Sequence, residues 1–414
     1  MNKKILIIGN SVNTAGLAKS LASNNTIFVA PGNNLIKDFA TCVDIREDAI
    51  TELLEFVLEN DIDLTIPVSQ RSLNTNIVEL FTRNNQQIFA PNLEVTNSIF
   101  NKYAIKKLLY KLHIPTPKFG IFEKQAMAID YIKNFSSPYV IKTNEQSSSI
   151  ILTTQKSAKN IIESLFKEKN QKVLIEDYIW GTSFVFYVIS DGYKALPIGS
   201  SILYNHSLEG DGGQLTDGMG ACSPNYKLTI DNEYYLMDNV VYPILETLER
   251  NGNPYLGILG IQGIITDTGN LQILGFKPFM QDVDCTAILE LLDVNILNLI
   301  EACIIGSFSD EFDYIPQKNM SATALVIKCN NKNNQENIIE GLENIDENIK
   351  ISFYPQINKN KYLEYETNYG NSLILTSIAR TLTSSTKFVY EEAQNINFKG
   401  ITYRKDICKT FDKN

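Results

Sequence analysis

Short apolar runs alternate with helix-like stripes along the first hundred residues. Continuous apolar runs lie at residues 5–8, 27–29, 64–66 and 88–90. Between them, apolar side chains recur with the period of an α-helix, at residues 53–58 and again at 73–81. Strands separated by helices of this length predict a parallel sheet with helices on both faces. We therefore expect an N-terminal parallel α/β domain over residues 1–100.

Loops rich in glycine and proline follow these predicted strands. Gly9 ends the first strand, Pro31, Gly32 and Asn33 form a turn after the second, and residues 67–70 follow the third. Ligands on such a sheet bind at the carboxyl ends of its strands. We therefore expect these loops to face a ligand.

The pattern changes after residue 101. A helical stripe over residues 104–112 ends at Pro115 and Pro117, whose rings stiffen the segment. Predicted strands at 139–141 and 173–175 follow, and then a glycine-rich loop at 210–220. The C-terminal part mixes strand and helix patterns in a composition rich in asparagine and lysine.

Charge and composition exclude several classes of function. The 414 residues carry 37 Lys and Arg against 47 Asp and Glu, a net charge of −10. This balance argues against binding to nucleic acid or to a membrane surface. The first apolar run is too short for a secretory signal, and no later apolar stretch is long enough to cross a bilayer. We therefore expect a cytoplasmic protein.

Histidine and cysteine are too sparse for several kinds of catalytic centre. The chain has 2 His and 6 Cys. The cysteines are Cys42, Cys222, Cys285, Cys303, Cys329 and Cys408. No two of them lie close together in sequence, so neither a zinc site nor a histidine-centred metal site is expected. Reduced, mostly buried thiols are the prediction for a cytoplasmic chain.

Two motifs far apart in sequence carry a family resemblance. Residues 211–224 read Asp-Gly-Gly-Gln-Leu-Thr-Asp-Gly-Met-Gly-Ala-Cys-Ser-Pro, and residues 398–407 read Phe-Lys-Gly-Ile-Thr-Tyr-Arg-Lys-Asp-Ile. Together with the turn at 29–33 and the segment 63–66, they resemble the phosphoribosylamine–glycine ligases of the ATP-grasp superfamily. The resemblance covers essentially the whole chain, in the right order and spacing.

This resemblance implies an α/β and α+β multidomain fold. The N-terminal parallel α/β domain is expected at 1–100, a central ATP-grasp domain at 101–325 with a lid subdomain at about 118–190, and a small α+β domain at 326–414 that packs on the N-terminal domain. The implied reaction joins glycine to phosphoribosylamine in purine biosynthesis, hydrolysing ATP to ADP and phosphate through a glycyl phosphate. ATP and Mg²⁺ are the expected cofactors, and the protein is expected to be a monomer or a homodimer.

The resemblance also assigns roles to individual residues. Lys102 and Lys142 are expected on the ATP phosphates, and Glu176, Asp177 and Ile179 on the adenine. Asp211 and Lys142 are the candidate catalytic residues, with Asp211 holding an ammonium group. The expected substrate-binding residues are Pro31, Gly32, Asn33, Asp211, Gly213, Thr216, Gly218, Met219 and Gly220.

Other positions depart from the family pattern. Gly275 and Lys277 stand where the family has the Glu and Asn metal ligands, so no metal ligand is predicted here. Residues 143–149 lack the glycines and lysine of the family lid, and residues 11–15 and 68–70 replace its ribose-phosphate loops. Two interpretations of Lys277 follow: its ammonium either neutralises phosphate charge or points to solvent.

Three functions remain open at this point. The first is a phosphoribosylamine–glycine ligase with substituted residues. The second is an ATP-grasp ligase with a changed substrate, and the third is a paralogue that binds a metabolite or a partner without turnover.

Overall fold

The computed structural model of the protein describes residues 2–134, 137–144, 149–167, 171–332 and 337–409. Its N-terminal elements are β1 (Lys4–Gly9), α1 (Val12–Leu21), β2 (Thr26–Pro31), β3 (Thr41–Cys42), α2 (Ile50–Glu59), β4 (Leu64–Pro67), α3 (Gln70–Leu73), α4 (Ile77–Arg83) and α5 (Leu93–Ile99). The four strands form a parallel sheet in the order β3-β2-β1-β4. The predicted parallel α/β architecture is confirmed. The expected strand at 88–90 contributes only a single parallel bridge, from Ile88 to Thr65.

Alternate residues of β1 face opposite sides of this sheet. Ile5 and Ile7 join a core with α1, whereas Leu6 and Ile8 join a second core with α2. All four side chains are fully buried. A strand buried on both faces leaves no position for a polar side chain, which explains why this run is continuously apolar.

A small antiparallel sheet follows. Its elements are α6 (Lys102–Lys111), β5 (Phe119–Phe122), α7 (Gln125–Lys133), β6 (Tyr139–Lys142), β7 (Ile150–Leu152), α8 (Gln155–Leu165) and β8 (Val173–Asp177). The strand order is β5-β8-β6-β7. The apolar faces of α7 and α8 cover one side of this sheet, with Ala128, Ile132, Ala158 and Ile162 fully or almost fully buried against it.

A nine-stranded sheet forms the centre of the molecule. The elements from residue 182 onward are β9 (Thr182–Gly192), β10 (Ala195–Leu208), β11 (Gly212–Ser223), α9 (Ile230–Leu236), a π-helical segment (Met237–Val241), α10 (Tyr242–Arg250), β12 (Tyr255–Ile265), β13 (Leu271–Lys277), α11 (Asp282–Leu291), α12 (Ile296–Ile305), α13 (Phe308–Glu311), β14 (Ser321–Cys329), β15 (Asn337–Ile338), β16 (Lys350–Phe353), β17 (Asn358–Lys359), β18 (Tyr365–Thr367), β19 (Gly370–Ala379), α14 (Leu382–Ala393) and β20 (Ile401–Thr402). The strand order is β13-β12-β9-β10-β11-β14-β19-β16, and β20 pairs with β14.

The C-terminal strands continue the central sheet. The expected boundary at residue 326 falls within β14, which pairs with β11 on one side and β19 on the other. A separate small sheet, β15-β18-β17, extends toward the N-terminal part. There Lys359 pairs with Asp38 at 2.7 Å, and Asn34 donates to the side chain of Asn358. The domain limits themselves stay predictions.

Two cysteines that are 186 residues apart in sequence form a disulfide. Cys222 ends β11 and Cys408 lies in the C-terminal segment, with their Cα atoms 6.3 Å apart. The expectation of six reduced thiols is therefore wrong for this pair. The error arose because sheet pairing, rather than sequence spacing, brings the C-terminal segment beside β11.

Helix α11 lies at the junction between the N-terminal sheet and the central sheet. It packs against α1, β10, β11 and β14. At its first residue, the Asp282 carboxylate accepts the backbone N–H of Asn13 at 2.9 Å. The Asn13 side chain in turn donates to the Met280 carbonyl at 2.8 Å. Among the described residues, no helix has the length and apolar character needed to span a bilayer.

This junction can be tested with Asn13→Ala. The substitution leaves the buried Met280 carbonyl without its donor, which costs about 1–3 kcal/mol. We expect the midpoint of thermal unfolding to fall. The control is Asn24→Ala, because Asn24 is an exposed asparagine in the turn between α1 and β2. Equal midpoints for the two variants would contradict this account of the junction.

Candidate active site

A cleft of about 1130 Å³ opens between the N-terminal sheet, the small sheet β5-β8-β6-β7 and the nine-stranded sheet. The small sheet forms one wall, the nine-stranded sheet forms the floor, and the carboxyl ends of β1 and β4 form the far end. Lys102, Lys142, Glu176, Asp177, Ile179 and Asp211 all line it. The structure therefore brings together the lysines expected on the phosphates, the segment expected at the adenine and Asp211, which are far apart in sequence.

A buried carboxylate lies between two lysines on the wall formed by the small sheet. Val140 lies opposite Glu176 in the antiparallel pairing of β6 and β8. Lys142, two residues further along β6, therefore projects from the same face as Glu176. The Glu176 carboxylate forms ion pairs with Lys142 and with Lys106, the latter at 2.5 Å. The side chains of Glu176 and Lys106 are 2% and 1% exposed, so both charges are removed from water.

Burial and pairing set the charge states of this group. Burial tends to raise the pKa of the Glu176 carboxyl, but Lys142 and Lys106 outweigh it and the pKa is lowered. For Lys106, burial lowers the pKa to about 8 in spite of Glu176. The sequence prediction assigned Glu176 to the adenine. In the structure its carboxylate pairs with the two lysines and holds Lys142 at the cleft, and its contact with adenine stays a prediction.

Sequence reasoning missed Lys106. It lies four residues after Lys102 on α6 and so shares the face that lines the cleft. The four-residue spacing from Lys102 could have identified Lys106 from the sequence. Its ammonium also donates to Thr116 Oγ1 at 2.6 Å.

Lys102 begins α6 at the edge of the same wall. Asn101 caps this helix, because its side chain accepts the N–H groups of Tyr103 and Ala104. The Lys102 ammonium donates to the Thr143 carbonyl at 2.8 Å, next to the end of β6. The predicted substitute for the family lid spans 143–149, and its residues 145–148 lie outside the described residues.

The segment after β8 forms the rear of the cleft. Burial raises the pKa of Asp177, with the charge of Lys118 opposing it. Tyr178 and Trp180 are in edge-to-face contact at 4.8 Å, and Trp180 is 67% exposed. Gly181 has φ +150°, and a Cβ there would lie 2.2 Å from the Ile265 carbonyl oxygen. Only glycine therefore lets this segment cross so close to β12.

Asp211 is paired with a buried arginine. Its carboxylate accepts from Arg404 Nη1 at 3.0 Å, and the Arg404 side chain is 2% exposed. Arg404 also donates to both oxygens of Asp406 and to the His206 carbonyl. The carboxylate expected to hold a substrate ammonium is thus paired with Arg404, an arginine that it shares with Asp406. The two motifs that carried the family resemblance meet at this ion pair.

The glycine-rich segment serves packing more than ligand contact. Gly218, Met219 and Gly220 are buried in β11, and a Cβ at Gly220 would lie 2.9 Å from the Ala324 carbonyl oxygen. Thr216 Oγ1 donates to the Asn205 carbonyl and accepts from the Gly218 N–H. None of these four residues, nor Gly213, lines the cleft. Their small size and backbone serve the packing of β11, and their contact with substrate stays a prediction.

The turn after β2 supports the far end of the cleft from behind. Pro31, Gly32 and Asn33 do not line the cleft, contrary to the sequence prediction. Asn33 instead donates to the carbonyl of Asn10, which does line it.

The far end of the cleft is polar and carries one acidic side chain. It is lined by Asn10, Ser11, Asn13, Ser69, Gln70, Asn74 and the carboxylate of Glu47. Ser69 donates to Glu47 at 2.5 Å. Among the described residues, the N-terminal domain contributes no lysine or arginine to this lining. A ligand here meets amides, hydroxyls and one acidic group.

The residues beside β13 do not form a site for Mg²⁺, which prefers several free oxygen ligands. Gly275 offers no side chain and Lys277 offers only donors. Asp284 is fully buried and accepts from Ser201 at 2.6 Å and Tyr187 at 2.9 Å. Asp282 accepts from the start of α1. Burial raises the pKa of both carboxyls against these hydrogen bonds. Within the described ranges, no three acidic, histidine or cysteine side chains are grouped as a metal site would require.

This arrangement defines the class of protein. A small antiparallel sheet lies over a large one, with lysines on the small sheet facing the cleft between them. Among solved structures, a crystal structure of phosphoribosylamine–glycine ligase from Thermotoga maritima matches with a TM-score of 0.80 at 21% identity, over 98% of this chain and 100% of that one. The biotin carboxylase domain of the Hydrogenobacter thermophilus 2-oxoglutarate carboxylase, solved in complex with magnesium ADP, matches with a TM-score of 0.73 at 14% identity, over 97% of this chain and 92% of that one. The fold is an ATP-grasp fold.

Sequence comparison assigns the family within that class. The model described as "Phosphoribosylglycinamide synthetase, N domain" matches residues 3–97, and "Phosphoribosylglycinamide synthetase, ATP-grasp (A) domain" matches residues 100–285. The phosphoribosylamine–glycine ligase of Caldanaerobacter subterraneus subsp. tengcongensis is 26% identical over 98% of this chain and 99% of the relative. That of Fusobacterium nucleatum is 28% identical over 98% of both. The chain belongs to the phosphoribosylglycinamide synthetase family.

The buried carboxylate can be tested with Glu176→Gln. The variant leaves Lys106 and Lys142 without a counter-charge in a buried place, so we expect a loss of about 3–5 kcal/mol in the free energy of unfolding. Denaturant titration followed by fluorescence measures it. The matched control is Glu123→Gln, since Glu123 pairs with Lys172 at the exposed surface of the same small sheet. Similar stability of the two variants would refute a structural role for the buried group.

Lys106 predicts a pH dependence of stability. Its pKa is about 8 in the folded protein against 10.5 in the unfolded chain, so between these values the unfolded chain binds more protons. Stability from this group therefore rises with pH through that window. We expect the unfolding free energy of wild type minus that of Lys106→Met to increase by about 2 kcal/mol between about pH 7.5 and pH 9.5. A difference that is flat or falling with pH would contradict the buried charge.

Proposed function

We propose that the protein catalyses the ATP-dependent ligation of glycine to phosphoribosylamine, forming glycinamide ribonucleotide, ADP and phosphate. The observation that carries this proposal is the cleft itself. It joins Lys102, Lys142 and the segment after β8 to the strand ends of the N-terminal sheet, in a chain whose relatives over full length are phosphoribosylamine–glycine ligases. ATP-dependent carbon–nitrogen bond formation is the chemistry of this family.

The reaction has two steps. A glycine carboxylate oxygen attacks the γ-phosphorus of ATP, the bond to the ADP oxygen breaks, and glycyl phosphate forms. The amine of phosphoribosylamine then attacks the glycyl carbonyl carbon, loses a proton, and phosphate leaves. Both steps build negative charge around the transferred phosphoryl group, so cations and backbone donors fixed in advance lower the barrier.

The cleft supplies these groups at one end. Lys142 is held toward the cleft by Glu176, so its ammonium is oriented before ATP binds. Lys102 lies on the same wall and contacts the phosphates from the start of α6. The backbone of residues 177–180 and the Ile179 side chain accommodate the adenine.

The acceptor binds at the other end. Asn10, Ser11 and Gln70 offer amide and hydroxyl groups to the ribose and its phosphate, in place of charged side chains. Because Asp211 is paired with Arg404, the acid available to the glycine ammonium is Asp217, an exposed carboxylate that lines the cleft. Arg404 and Asp211 act together by fixing the start of β11, the strand that carries Asp217.

We infer that the protein works on small molecules in the cytoplasm, as a monomer or a homodimer, and not on nucleic acid or membranes. The net charge of −10 argues against binding to nucleic acid or to a membrane surface.

The test is an assay of ADP release with glycine and phosphoribosylamine, combined with mass detection of glycinamide ribonucleotide. We expect ADP formation to require both substrates. Lys142→Met should lower the rate by about 100-fold or more, as the loss of a single preorganised charge donor does.

The matched control is Lys156→Met, because Lys156 is an exposed lysine of the same small sheet region and lies outside the cleft. Its rate should stay close to that of wild type. No ADP release with both substrates present, or release that is independent of either one, would refute the proposed reaction.

A further inference from the structure

Strand β13 presents a lysine and an open space to the cleft. It is the edge strand of the central sheet, paired with β12 so that Gly260 lies opposite Lys277 and Gln262 opposite Gly275. Gly275 and Lys277 are two residues apart, lie on one face of the strand and both line the cleft. A Cβ added at Gly275 would meet no atom within 4 Å. The space beside Lys277 is therefore free to receive a ligand.

Lys277 lines the cleft, and its charge interacts with two carboxylates and one lysine. The carboxylates of Asp217 and Asp284 act on it electrostatically, and Lys142 repels it. Asp284 is occupied by Ser201 and Tyr187, and Asp217 is on the exposed side. Burial lowers the pKa of the Lys277 ammonium, while the two carboxylates raise it. The interpretation that Lys277 points to solvent is therefore not supported by the geometry.

We propose that Lys277 is a built-in cation for the nucleotide phosphates, so that nucleotide binding in this cleft does not depend on a divalent ion held by β13. The proposal rests on the proposed function in one respect, that the cleft binds ATP and ADP. Lys142 and Lys277 approach the same part of the cleft from the small sheet and from the floor. An ammonium at each side neutralises phosphate as a point charge, which a lysine does without oxygen ligands around it.

Gly275 and Lys277 stand where the family has its two metal ligands. The lysine thus supplies a positive charge in place of the ligands. Mg²⁺ needs free oxygen ligands, and the acids near β13 are engaged in hydrogen bonds that hold α1, β9 and β10 in position. A divalent ion that binds beside Lys277 would also be repelled by it. We therefore expect free ADP to bind as well as the magnesium complex.

Calorimetric titration with ADP tests this, once with EDTA and once with excess MgCl₂. For the wild type, the two Kd values should agree to within about threefold. Lys277→Gln should weaken binding in EDTA by about tenfold or more, because a half-buried positive charge next to phosphate is lost. The matched control is Lys350→Gln on β16, an exposed lysine at the opposite edge of the same sheet, which should bind ADP as the wild type does.

A second variant should make ADP binding depend on Mg²⁺. Gly275→Glu combined with Lys277→Asn places an acid and an amide oxygen on this face, and the space over Gly275 accommodates the longer side chain. We expect this variant to bind ADP about tenfold more tightly with Mg²⁺ than with EDTA. Its thermal unfolding midpoint shows whether it folds.

Three outcomes would overturn the proposal. Wild-type binding that tightens about tenfold or more with Mg²⁺ would show that the nucleotide site depends on a divalent ion. Lys277→Gln that binds ADP as tightly as wild type in EDTA would show that the ammonium does not contact phosphate. Neither of these two results argues against ligase turnover. If the wild type bound ADP neither with EDTA nor with MgCl₂, the proposed function would be overturned as well.

Discussion

A charge taken out of water must meet an opposite charge or a set of hydrogen bonds, and this constraint arranges the whole cleft. Glu176 is buried because Lys106 and Lys142 are buried with it. Arg404 is buried because Asp211, Asp406 and the His206 carbonyl surround it. Asp284 is buried because Tyr187 and Ser201 donate to it. Each of these groups joins parts of the chain that are distant in sequence. The same ion pairs and hydrogen bonds therefore set the charges of the cleft and hold its walls together.

The same constraint connects the architecture to the chemistry. Phosphoryl transfer needs fixed positive charge, and a lysine is fixed only when something holds it. Glu176 does this for Lys142, at the cost of its own availability to the adenine. On the floor of the cleft, the carboxylates of α11 are committed to hydrogen bonds, which leaves Lys277 as the charge that β13 offers. The family reaction and the substituted floor are compatible if lysines carry the phosphate charge.

The sequence predicted the fold well where burial acts on a local pattern. The continuous apolar run at 5–8 can only be a strand covered on both faces, and the structure places its alternate residues in two different cores. The sequence also identified Lys102, Lys142 and Asp211 as cleft residues, since their spacing follows the family motif. It could not show that Gly220 packs against the Ala324 carbonyl, because a glycine needed for close strand packing and a glycine needed for ligand approach look alike in sequence.

The sequence by itself thus determined the parallel N-terminal sheet, the family and the presence of Gly275 and Lys277 on β13, because each depends on residue type at a fixed local spacing. Only the tertiary structure decided which side chains pair with each other. It joined Asp211 to Arg404 across 193 positions, Cys222 to Cys408, and Glu176 to Lys106, and it continued the central sheet into the C-terminal strands. The physical reason is that pairing depends on distance in space, and long-range packing brings together side chains whose separation in sequence carries no information about contact.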